Sequence, residues 1–198
     1  MLIDFQKKYG LVADGKFGPV TAKKIVEVFK IKHPAQFFGQ VCHESLDLTI
    51  KEESLSYTAS RLQEVFPKYF PTYSKAKEYE RNPQKLGNLV YGNRMGNSNP
   101  NDGYYFRGRG AVQLTGRDNY KAFEKWLVKR GLCKVNEIML SPDLVSSKFY
   151  IESAVFFFDT KNLWKITDIE KLTKKVNGGT NGLQDRINRT NKYLKWFS

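Results

Sequence analysis

Hydrophobic positions along the chain recur mostly at helical rather than alternating spacing. From His33-Pro34 onward, Phe37, Phe38, Val41, Cys42 and Leu46 mark one helical stripe. Further stripes cover about 58–69 (Leu62, Val65, Phe66, Tyr69), 118–130 (Tyr120, Phe123, Leu127, closed by Gly131) and 148–158 (Phe149, Ile151, Ala154, Val155, Phe158). Ahead of them Asp14-Gly15 is a turn signal, and Gly18-Pro19 places a proline in the first turn of a helix, where its missing N–H costs little. Residues 1–32 therefore read as helix, turn, helix. One segment departs from this period. Asn101-Asp102-Gly103 is a turn, Tyr104-Tyr105-Phe106 is β-prone, Arg107-Gly108-Arg109-Gly110 is a poor helix, and Ala111 to Thr115 alternates apolar and polar. The pattern predicts a mainly α chain with one short hairpin, on which Gln113 and Thr115 share a strand face. The Gly- and Asn-rich stretch 92–103 reads as a loop, and no internal repeat is found.

Composition adds that the chain has the means to fold. Its 198 residues are 40% hydrophobic and 14% aromatic, too apolar for a disordered chain. A chain of this size buries roughly 70% of its unfolded surface. No apolar run approaches the roughly 18 residues of a bilayer span, and Met1-Leu2-Ile3-Asp4 has no basic segment leading into an apolar core. Neither a membrane span nor a cleavable signal peptide is expected. Cys42 and Cys133 lie far apart without metal-ligand spacing, and Cys42 falls on an apolar stripe. Two reduced, packed thiols are expected, with no metal and no cofactor, as in a protein kept in a reducing cytoplasm. Charge changes the picture most. Thirty-three Lys and Arg against 20 Asp and Glu give +13 and a pI near 9.6, which draws the chain to a polyanion: nucleic acid, an anionic membrane or an anionic wall polymer.

Against this basic background, residues 44–53 hold Glu44, Asp47, Glu52 and Glu53 with a single Lys51. At about 100° per residue, Glu44 falls on the flank of the 34–46 stripe near Phe37 and Val41, whereas His43 faces nearly opposite it. A carboxyl against aromatic carbon favours its protonated form, as a general acid requires. Glu53, beyond Leu48-Thr49-Ile50, lies where a carboxylate can stay ionised and hydrated. Two acids in opposed environments suit glycosidic bond hydrolysis. An acidic, solvated helix edge is the ordinary alternative, as a solvated strand face is for Gln113 and Thr115.

Five segments in order resemble the chitinase and endolysin branch of glycoside hydrolase family 19: His43-Glu44-Ser45, Glu53 to Ala59, Val90 to Asn97, Asp102-Gly103 with Phe106 to Tyr120, and Val176-Asn177-Gly178-Gly179. The likeness covers about 34–197. It implies a lysozyme-like α+β fold, mainly α, with a small β-hairpin at the active-site cleft, and an inverting mechanism. Residue by residue, it implies that Glu44 is the general acid, Glu53 the general base, and Thr115 a holder of the attacking water. It further implies that Gln113, Asn119 and Asn177 meet the sugar, that Arg186 in Asp185-Arg186-Ile187 is the cleft arginine, and that Tyr91, with Asn93 and Arg94, supports the cleft. The stretch 179–185 is shorter than in plant chitinases and lacks an acid that those carry after Asn-Gly-Gly, which leaves the partner of Arg186 open.

Residues 1–32 are similar to the second half of a three-helix peptidoglycan-binding module, through Phe5 to Leu11 and Asp14 to Thr21. The domains expected are thus a partial peptidoglycan-binding-like helical segment, 1–32, and a family 19-like catalytic domain, 33–198. Small size, no signal and Asn93-Arg94-Met95-Gly96-Asn97 resemble phage endolysins more than disulfide-bearing plant chitinases. The expected function is N-acetylmuramidase cleavage of β-1,4 bonds in peptidoglycan by a monomer, held in the host cytoplasm until lysis and then acting at the wall. A chitinase acting on N-acetylglucosamine polymers is the alternative, and a catalytically silent wall-binding protein a more distant one. Arg107-Gly108-Arg109-Gly110 beside Tyr104 to Phe106 has the mixture used on single-stranded nucleic acid, but one such pair of repeats is short and no nucleic-acid partner is expected. A zinc peptidase lacks its second helical His after His43-Glu44.

Overall fold

Pro19 and Pro34, each at the head of a helix, and the apolar stripes behind them set the frame. A computed structural model describes residues 2–198, and its helices are α1 (Leu2–Lys8), α2 (Pro19–Phe29), α3 (Pro34–Glu44), α4 (Ala59–Val65), α5 (Tyr73–Lys77), α6 (Pro83–Tyr91), α7 (Asp102–Tyr105), α8 (Arg117–Lys129), α9 (Glu137–Leu140), α10 (Tyr150–Thr160), α11 (Ile169–Asn177) and α12 (Leu183–Phe197). They divide between two compact units. The first takes the chain up to Lys51, Gly110–Gln113 and Asp143–Ser198; the second takes Glu52–Arg109 and Leu114–Pro142.

In the first unit α3 is the buried centre, with Phe37, Phe38, Val41 and Cys42 almost fully enclosed. Phe37 packs against Phe158 of α10 at 4.9 Å between ring centroids and stacks with Trp164 at 5.5 Å. α12 lies along α3, and the two come unusually close at Gly39, where a β-carbon would meet Thr190 Oγ1 at 2.1 Å. Residues 2–32 belong to this unit. Phe17, in the loop before α2, contacts Phe38, Tyr193 and Trp196 at 5.0–5.8 Å. Cys42 and Cys133 are both free thiols, and burial pushes the Cys42 thiol up to about 12.

The second unit closes around Leu55, Ala59, Leu62, Phe70, Ala76, Leu86 and Val90. The side chains of Thr58, Thr72 and Asn82 cap α4, α5 and α6, each accepting from a backbone N–H three residues on.

The hairpin expected over 104–115 is absent. Asp102 accepts hydrogen bonds from Ser98 N and Asn99 N at 3.0 Å each and pairs with Arg117, and residues 102–105 wind into α7. Tyr104, Tyr105 and Phe106 are thus drawn into and just past a helical turn rather than extended. Gln113 has φ 52° and Gly110 φ 79°, so the intervening residues turn too tightly to alternate, and Gln113 and Thr115 share no strand face. What survives is a pair of isolated antiparallel bridges, Glu52 with Arg109 and Arg109 with Leu114.

Candidate active site

The structure brings the candidate residues together in two groups, one in each unit. In the first unit Glu44 ends α3 and Arg186 sits on the first turns of α12. Arg186 is 1% exposed. One guanidinium nitrogen donates to Glu44 Oε1 at 2.5 Å and another to Gln40 Oε1 at 2.6 Å. Gln40, also 1% exposed, donates in turn to Thr173 Oγ1 on α11 at 3.1 Å. A buried guanidinium is costly unless paired, and here one carboxylate and one amide face it, while Glu44 keeps about a third of its side chain exposed. The partner of Arg186 that the sequence left open is Glu44 itself, with Gln40.

Asp185, the neighbour of Arg186, serves the next turn instead. It accepts from Arg189 Nε and lies against His43 Nδ1, both at 2.6 Å. Arg189 also donates to Asp47 Oδ1 at 2.6 Å, where Tyr193 donates at 2.8 Å. Hydrogen bonds from His43 and Arg189 hold the Asp185 carboxyl below its usual range, the His43 contact contributing most. His43, placed by helical projection on the far side from the stripe, is thus tied down by α12. Its ring also passes so close to Gly182 that a β-carbon there would meet it at 2.3 Å, and Gly182, at φ 70°, is the residue from which α12 starts. Of the other candidates in this unit, Asn177 organises its own loop: Oδ1 accepts from Gly179 N and Nδ2 donates to Asn181 O, each at 2.8 Å. Gln113 turns back on Gly110 O at 3.2 Å.

In the second unit Glu53 is half-buried and doubly held. Tyr91 donates its hydroxyl to Oε2 at 2.7 Å, and Gly108 N donates to Oε1 at 2.5 Å. Glu53 N also donates to Gly108 O at 2.9 Å. Burial, then the Glu53 carboxylate, pushes the Tyr91 hydroxyl above its usual range, so it stays a donor. Tyr91 comes from the end of α6, and the two bridges carry the register further. With Arg109 opposite both Glu52 and Leu114, Gly108 falls between Glu53 and Thr115, which places their backbones about 10 Å apart at the usual strand spacing. Thr115 O accepts from Asn119 Nδ2 at 2.7 Å, fixing Asn119 on the exposed first turn of α8.

Gln40 and Thr173 were not singled out from sequence, and His43 and Asp185 were named only as neighbours of Glu44 and Arg186. For Gln40 there was a signal: it stands three residues after Phe37 and four before Glu44, on the apolar face of α3, where a buried amide must have a partner.

No family model matches the chain. A glycosyl hydrolase family 19 domain-containing protein of Haemophilus influenzae is 37% identical over 156 residues, which is 77% of this chain and 74% of that protein. Similarity of that depth and extent makes the chain a glycoside hydrolase. It belongs to glycosyl hydrolase family 19.

Proposed function

We propose that the chain is a phage-type endolysin that cleaves the β-1,4 bond between N-acetylmuramic acid and N-acetylglucosamine of peptidoglycan, with inversion. The observation that carries the chemistry is the contrast between the two carboxyls. Glu53 is held through both carboxylate oxygens by two donors, which fixes the orientation of the proposed base. Glu44 engages Arg186 through Oε1 only, which leaves Oε2 open to face the glycosidic oxygen. In the proposed step Glu44 protonates the glycosidic oxygen as its bond to the anomeric carbon breaks. Water attacks that carbon from the opposite face and loses its proton to Glu53, while Thr115 helps hold it. Arg186 then neutralises the carboxylate left on Glu44. Tyr91 positions Glu53; Gln113, Asn119 and Asn177 contact sugar. Inversion asks for carboxyls about 6.5–9.5 Å apart rather than the roughly 5–5.5 Å of a retaining pair.

The charge supports peptidoglycan over chitin. Chitin is neutral, whereas a cell wall carries fixed anions that a +13 protein would seek. Residues 1–32 are proposed as a partial wall-binding-like segment fused to the catalytic domain 33–198, with a packing role that the ring contacts of Phe17 support.

Glu44→Gln is expected to lower turnover of purified sacculi by about 10²–10⁴-fold, the usual reach of a general acid, with an unchanged thermal unfolding midpoint. Full lysis by that variant removes Glu44 from the mechanism. Reducing-end analysis of the digest decides the bond: new N-acetylmuramic acid ends support a muramidase, new N-acetylglucosamine ends contradict it, and release of oligosaccharides from chitin favours the chitinase reading.

A further inference from the structure

On α8, in the second unit and apart from the groups just described, Lys121, Lys125 and Lys129 recur every four residues. At 1.5 Å per residue they run along about 12 Å of helix on one face. Arg117, one turn earlier, is held in a bidentate pair by Asp102. The three lysines are exposed and have no ion-pair partner among the described residues. They line a groove of about 580 Å³ together with Val128, Val135 and Met139. The groove is built into the fold. Glu124, 6% exposed, accepts from Ile138 N at 2.9 Å and Met139 N at 3.1 Å, which fastens α9 to α8. Beside it Val135 and Leu140 stand 70% and 75% exposed.

Three cations without an ion-pair partner among the described residues outnumber the one free-facing carboxylate of the lining, Asp118, and with the aliphatic side chains they select a ligand that is both anionic and apolar. A single-stranded nucleic acid asks for aromatic faces on which bases stack, and none of the lining residues is aromatic. A soluble polyanion would satisfy the lysines and leave Val128, Val135 and Met139 unused. A phospholipid satisfies both, since basic clusters hold anionic headgroups while aliphatic side chains enter the acyl boundary. We propose that this groove is a docking site for anionic phospholipid at a membrane surface, with lipid phosphate on Lys121, Lys125 and Lys129 and acyl carbon against Val128, Val135 and Met139.

The test uses the full chain and sedimentation with vesicles of phosphatidylcholine containing a quarter phosphatidylglycerol, against pure phosphatidylcholine. The triple variant Lys121→Glu, Lys125→Glu, Lys129→Glu is compared with a charge-matched control, Lys68→Glu, Lys161→Glu, Lys165→Glu, drawn from exposed lysines elsewhere. The groove variant is expected to lose about a hundredfold or more in vesicle affinity, from the usual contribution of each lysine near an anionic surface. The control should stay within a few-fold of wild type, and all three proteins should keep their hydrolytic rate on soluble glycan fragments, which also reports folding. Equal losses in groove variant and control, or equal binding to neutral vesicles, would overturn the proposal. Val135→Asp separates lipid from polyanion: it should weaken vesicle binding about tenfold while leaving affinity for soluble polyphosphate unchanged, and an unchanged vesicle affinity would count against a lipid.

Discussion

Tyr91 illustrates how one side chain can position another, here Glu53, the base proposed above. Its hydroxyl donates to Glu53 Oε2, and the other carboxylate oxygen is already occupied by Gly108 N. Removing that hydroxyl leaves Glu53 one fixed donor and freedom to rotate about it. Tyr91→Phe is therefore expected to lower kcat about tenfold with KM little changed, because loss of one aimed hydrogen bond of this kind costs about 1.5–3 kcal/mol at most. Initial rates on sacculi over a range of concentration check the split; a change confined to KM would make Tyr91 a substrate contact instead. Glu152 on α10 gives a second prediction at this scale. Burial pushes its carboxyl up to about 7, with Lys8 and Lys148 only partly opposing. The folded state then holds that proton more tightly than the unfolded chain, whose glutamates titrate near 4.3. The sign follows: stability is full below the unfolded value and declines as pH rises through about 7. Glu152→Gln should gain nothing near pH 4 and up to about 3 kcal/mol near pH 8, read from urea midpoints at each pH. An equal gain at both would place the effect outside ionisation.

Among the elements, the α3–α12 pair holds Glu44 and Arg186 at bonding distance, and at Gly39 the two helices approach too closely to admit a β-carbon without a shift. Alanine there would add about 1 kcal/mol of helix propensity, but its β-carbon would meet Thr190 Oγ1 at 2.1 Å and Arg186 O at 3.3 Å. Overpacking of this kind costs about 1–3 kcal/mol. Gly39→Ala is expected to destabilise modestly and to reduce turnover by displacing the turn that carries Arg186. Adding Thr190→Ala should restore part of both, and a double-mutant cycle of unfolding free energies measures that coupling. Strict additivity would mean the helices do not meet as described. These two helices also show what the sequence made legible. α3 announced itself through Phe37, Phe38, Val41 and Cys42, all buried. α12 did not, because the residues it buries are Arg186, Thr190 and Tyr193, and a face made largely of polar groups leaves no apolar stripe to read. Glu44 was reached through the acid cluster and its place on the flank of the α3 stripe, Arg186 only through its motif, and no pattern foretold their contact. The opposite error arose at 104–106, where β-prone aromatics were outweighed by Asp102, whose carboxylate gathers Ser98 N, Asn99 N and Arg117. Local propensity was right about the side chains and had no knowledge of the acceptor beside them.

For the molecule as a whole, net charge is the property no single contact explains. Residues 1–32 hold seven lysines against three acids, and residues 161–198 nine basic residues against three acids, whereas 44–53 holds four acids and one lysine. Surface charge of one sign acts at a distance set by salt, about 30 Å at 0.01 M and about 10 Å at 0.1 M. It speeds encounter with an anionic polymer without altering the chemical step. If peptidoglycan is the substrate, kcat/KM on sacculi should fall about tenfold as sodium chloride is raised from about 0.01 M to about 0.3 M, with kcat nearly level. On a neutral chitooligosaccharide both parameters should stay level over the same range, because there is no fixed anion to screen. The paired substrates separate steering from damage to the site. The Arg186–Glu44 pair is buried on the arginine side, where salt penetrates little, so weakening of that pair would depress kcat on both substrates equally. A fall in kcat/KM confined to the anionic polymer would instead tie the charge of this chain to the substrate proposed for it.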